Sequence, residues 1–97
     1  MRTMLKVLFP VEASNKAMKE GALEKTIGKM LEQLKPEAAY FFPDGGRRSA
    51  IFVFNLKEPS DIVLTAEPFF SALNAEVYLV PVMNADDLKA GLAKLMK

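Results

Sequence analysis

The chain has 97 residues, 51% hydrophobic and 26% charged, which suits one modest core and is too little for two ordinary domains, so a single domain over 1–97 is expected. Thirteen basic against twelve acidic residues leave a net charge of +1, and the longest basic run is Arg47-Arg48, so neither nucleic acid nor an anionic membrane is an expected partner. The absence of both His and Cys removes thiolate nucleophiles, Cys/His zinc sites, histidine bases and Ser-His-Asp triads, leaving carboxylates, Lys, Arg, Tyr and Ser/Thr for any chemistry.

Residues 3 to 11 (TMLKVLFPV) are β-branched and apolar with one charge, the pattern of a strand that ends near Pro10. Lys6 and Pro10 interrupt what would have to be the apolar region of a signal peptide, and a cytoplasmic location is expected. Ser14 is placed to cap a helix from Asn15 to Leu34, in which Leu23, Ile27, Met30, Leu31 and Leu34 recur at helical spacing before Pro36 ends it. Segments 38–42 (AAYFF) and 48–55 (RSAIFVFN) read as strands joined through Pro43-Asp44-Gly45-Gly46, strong turn chemistry.

A second helix is expected from about Pro59 through Leu73, kinked or restarted at Pro68, because proline lacks the N–H that an interior helical position donates. Residues 75–82 (AEVYLVPV) form a fourth strand, placed at a sheet edge by Pro81. Asn84 then caps a last helix, Ala85 to Met96, with the apolar stripe Leu88, Leu92 and Leu95.

The order βαββαβ predicts an α+β, ferredoxin-like fold: a four-stranded antiparallel sheet with two helices on one face and an extra C-terminal helix. The strands do not alternate as a sheet with one wet face would. Ile51 and Val53 oppose Ala50, Phe52 and Phe54, and Val77 and Leu79 oppose Tyr78, Val80 and Val82. The second face therefore needs cover, either a copy of the same chain in a homodimer, the favoured reading, or the C-terminal helix of its own subunit.

The chain resembles the dimeric α/β-barrel superfamily, whose ferredoxin-like sheets meet back to back, and within it small uncharacterised bacterial members. The resemblance is carried by the turn Asp44-Gly45-Gly46-Arg47, the helix start Glu58-Pro59 and the last strand Glu76-Val77-Tyr78-Leu79-Val80-Pro81-Val82. It implies a dimeric barrel and a range of activities that includes cofactor-independent monooxygenases, lactone isomerases, haem enzymes and ligand-sensing domains. The haem branch and several catalytic branches use histidine, and the monooxygenase pockets often hold tryptophan; this sequence has neither.

Tyr40, Phe41, Phe42, Phe52, Phe54, Phe69, Phe70 and Tyr78 gather aromatic surface that either lines a pocket for a flat apolar ligand or packs the core and a dimer interface. In a pocket, the two tyrosines supply hydroxyls and Glu67 is the nearest base, a role that requires an enclosed site. Arg47 and Arg48 either hold an anionic group beside the glycine turn or belong to a solvated tip with Asp44 pairing Arg47. Glu12, Glu58, Asp61 and Glu67 read as helix-start carboxylates, not as a metal site, and no cofactor is expected. The leading expectation is a homodimeric domain that binds a small apolar or aromatic ligand; the alternatives are a cofactor-independent monooxygenase or isomerase, and a protein-interaction module that uses the sheet face.

Overall fold

The computed structural model describes residues 1–97. Its strands are β1 (Arg2–Leu8), β2 (Ala38–Asp44), β3 (Arg47–Asn55) and β4 (Glu76–Pro81), and its helices are α1 (Val11–Lys19), α2 (Ala22–Leu34), α3 (Asp61–Leu73) and α4 (Ala85–Leu95). The strands form one open antiparallel sheet in the order β2-β3-β1-β4. This α+β architecture is compatible with a ferredoxin-like fold. Pro81 lies on β4, an edge strand where its missing N–H interrupts no interior ladder. No helix is long and apolar enough to cross a membrane.

The register sorts the side chains onto two faces. Leu5, Val7, Ala50, Phe52 and Phe54 are buried and meet Met30 of α2 and Phe69 and Leu73 of α3 in one core. Phe69 sits between Phe9 and Phe52, with ring centroids 6.3 and 6.2 Å away, and Phe41 meets Phe52 edge-on at 5.8 Å.

The first helical segment departs from the single helix that its periodicity predicts. It begins at Val11, because Pro10 at φ −59° and ψ 137° turns the chain and its carbonyl accepts the first helical bond from Ser14 N–H at 2.9 Å. Ser14 is therefore inside α1, not at its cap, and its hydroxyl donates to Val11 O at 3.2 Å. The chain breaks after Lys19, where Gly21 takes φ +77°, a conformation that a side chain disfavours, and α2 restarts at Ala22.

Gly45 and Gly46, at φ +62° and +80°, make the two-residue turn between β2 and β3, and both strands run up to it. The extra length on β3 brings Arg47 into the ladder opposite Asp44.

Pro68 does not break α3, which is assigned as one helix from Asp61 to Leu73. A residue at position 68 would donate to the carbonyl of Leu64, and proline leaves that acceptor free. Gln33 of α2 fills it, its side-chain amide donating to Leu64 O at 3.3 Å. In a double-mutant cycle, Gln33→Ala should cost about 0.5–1 kcal/mol beside Pro68. The same change should cost almost nothing in a Pro68→Ala background, where the backbone supplies its own donor. Equal costs in both, measured by urea unfolding, would refute the compensation.

α4 is built by local rules and stands apart. Asn84 Oδ1 accepts from Asp87 N–H at 2.8 Å while Asn84 N–H donates to Asp87 Oδ2 at 3.1 Å, a reciprocal capping box. None of its residues is buried, and Leu88, Leu92 and Leu95 are exposed. An ion pair of Arg2 with Asp87 at 3.5 Å ties it to β1. Arg2 also binds Glu37 at 2.6 Å, and that bond and charge hold its guanidinium above the ordinary arginine value. The molecule measures 56 × 28 × 18 Å, and the C-terminal helix does not fold across the bare sheet face.

Candidate functional site

The bare face has an apolar half and a charged half. Across the four strands, Ala38, Val53, Met4 and Val80 form one row, and Tyr40, Ile51, Lys6 and Tyr78 the next. Tyr40 is 66% exposed and Tyr78 50% exposed. Toward the hairpin, two ion pairs bridge across strands. Lys6 on β1 reaches Asp44 on β2 at 2.7 Å, across β3, and Arg47 on β3 reaches Glu76 on β4, across β1. Asp44 thus pairs with Lys6, not with the Arg47 opposite it, whose guanidinium pairs with Glu76 instead. These bridges use two positive and two negative groups, so the charged half is internally neutralised.

A concavity lies on the helix side, between α1 and α2 and the β2–β3 hairpin. It is a cleft of about 590 Å³, within the range of small-molecule sites. Its apolar walls include Phe9, Leu23, Ile27 and Phe41, while Phe42, two residues from Tyr40 on β2, borders it from the strand that turns its side chain to the bare face. Leu23, Ile27 and Phe41 also line a shallower groove that continues along α2 past Met18. The break at Gly21 matters here: it ends α1 and begins the separate helix that carries Leu23 and Ile27 along the cleft.

Arg47 and Arg48 both border this cleft, but alternation on β3 sends them to opposite sides of the sheet. Arg47 turns to the bare face and Glu76. Arg48 turns to the helices, where Nη1 donates to Ser14 Oγ at 2.8 Å and to Asn15 Oδ1 at 2.8 Å. Ser14 is fully buried, and every buried side-chain polar atom has a partner.

Of the aromatic residues singled out in the sequence, Phe41 and Phe42 border the cleft and the other six do not. Phe52, Phe54 and Phe69 are core residues, Tyr40 and Tyr78 lie on the bare face, and Phe70 is exposed on α3. Phe54 also borders a smaller depression of about 410 Å³ between the end of α2 and the start of α3. Glu67 is exposed on α3, without the enclosure that a tuned general base requires. Glu12 and Asp61 occupy first helical turns, and no group of three or more acidic side chains converges as a metal site.

The chain matches no family model. No curated protein and no solved structure is significantly similar to it either.

Phe9, Leu23 and Ile27 escaped the sequence reading because they look like ordinary core positions of a strand and a helix. The signal that distinguishes them is the pair Pro10 and Gly21, which bracket α1 and set it apart from α2.

Proposed function

We propose that this chain is a binding domain that works as a homodimer and holds a small apolar molecule in the cleft between α1, α2 and the β2–β3 hairpin. The observation that carries the reading is the cleft itself: about 590 Å³ with an aromatic and aliphatic wall. A ligand-binding role is favoured over the monooxygenase or isomerase reading because Glu67 is exposed and the cleft holds no carboxylate, so no general base faces a bound molecule.

Self-association is supported by the bare face. Its apolar half remains open in one subunit, and its ion pairs are already satisfied, so a second copy can cover it without stranding a charge. The exposed stripe Leu88, Leu92 and Leu95 on α4 supplies further apolar surface for the same partner. A barrel formed by two such sheets is the arrangement that the superfamily resemblance implies.

A neutral apolar dye, N-phenyl-1-naphthylamine, should brighten and saturate on titration with the protein. Ile27→Glu should abolish that response by placing a charge on the cleft wall, while Val80→Glu on the bare face should leave it. The opposite pattern would move the site to the sheet face and favour an interaction module.

A further inference from the structure

We infer that the occupant of the cleft is an apolar carboxylate, and that Arg48 is the group that selects it; the inference rests on the cleft being a binding site. The chain has three arginines. Arg2 lies against Glu37 and Asp87 and Arg47 against Glu76, but Arg48 has no carboxylate within ion-pair distance. Its partners are the neutral oxygens of Ser14 and Asn15, which fix the guanidinium without neutralising it.

The manner in which Arg48 is held suits a binding role. Both of its bonds use Nη1, so the donors on Nε and Nη2 have no protein partner. Ser14 is fully buried and donates its own proton to Val11 O, which leaves its hydroxyl oxygen as a fixed acceptor behind Arg48. Asn15 accepts through Oδ1, so its amide Nδ2 stays available as a further donor at the same rim.

The charge is therefore placed where an anion can complete it, next to walls formed by Phe9, Leu23, Ile27 and Phe41 that bring no negative group. A planar fork with two free donors matches the two oxygens of a carboxylate. A phosphate dianion would leave one negative charge uncompensated against the apolar walls, where a carboxylate is neutralised by the single guanidinium. The ligand class is thus an aromatic or branched aliphatic monocarboxylate whose apolar body lies on Leu23, Ile27 and Phe41 and whose head meets Arg48.

The test compares 2-naphthoate with its neutral isostere 2-naphthamide, titrated into the full chain and followed by amide chemical shifts. The naphthoate should bind about tenfold tighter, the worth of a charge-assisted hydrogen bond, with shifts at Ile27 and Phe41 for both probes. Arg48→Gln should bring naphthoate down to the affinity of the amide. Arg48→Lys, which keeps the charge and loses the fork, should lose most of the preference.

Equal wild-type affinities with shifts in the cleft would overturn the carboxylate assignment and leave the apolar site standing. A preference that survives both Arg48 variants would overturn the role of Arg48. Failure of both probes to shift any cleft residue would overturn the binding-site reading and this inference together.

Discussion

Replacing Phe69 with alanine should lower the midpoint of thermal unfolding by roughly 15–30 °C. The side chain is fully buried and is the contact through which α3 meets both Phe9 beyond β1 and Phe52 in β3. Removing a buried phenyl ring costs about 3–5 kcal/mol, because the transfer energy is lost and neighbours held by the sheet cannot collapse into the cavity. Against a total stability of about 5–15 kcal/mol for a domain, that is a large fraction.

The neighbouring Phe70→Ala is the control, since Phe70 is 45% exposed on the outer side of α3. It should shift the midpoint by a few degrees at most. Circular dichroism at 222 nm during heating measures both, and similar shifts for the two variants would contradict the core as described. The comparison also separates two residues that the sequence groups as aromatic neighbours and the fold sends in different directions.

The second large effect concerns the bare face. Light scattering across a range of concentrations should give twice the chain mass of 10.8 kDa for the wild type, and Val53→Glu should return it to 10.8 kDa. Val53 lies on β3, one of the two central strands, with Met4 beside it on β1 and Ala38 on β2. A carboxylate there would be buried without a partner in any sheet-to-sheet contact, a penalty of several kcal/mol that is about a thousandfold or more in association.

The same residue is only half-buried in the single chain, so the variant should keep its far-ultraviolet spectrum and fold as a monomer. Lys25→Glu, a charge change on the exposed side of α2, should leave the mass unaltered. A wild-type monomer would remove self-association from the proposal and make the apolar half of the face a surface for a different partner. A Val53→Glu dimer would place the interface elsewhere, with the apolar stripe of α4 the next surface to charge, through Leu92→Glu.

What the sequence by itself determined is what local periodicity and turn chemistry control. Strand segments with β-branched and aromatic residues, the Gly45-Gly46 turn, the edge position of Pro81 and the Asn84 cap are legible because each depends on a few adjacent residues. Tertiary structure decided the rest. Pro68 stays helical because Gln33, distant in sequence, reaches the carbonyl that proline leaves free. Gly21 splits the first helix where periodicity alone ran through, since an apolar stripe does not record a change in axis.

Ion-pair partners, too, followed from the strand order, which set Asp44 against Lys6 and Arg47 against Glu76 across intervening strands. The cleft was hidden for the same reason: Phe9, Leu23, Ile27 and Arg48 come from separate elements, and composition cannot distinguish an apolar residue in a wall from one in a core. That distinction is made by how far α1 and α2 stand from the hairpin, a distance that only the packed fold defines.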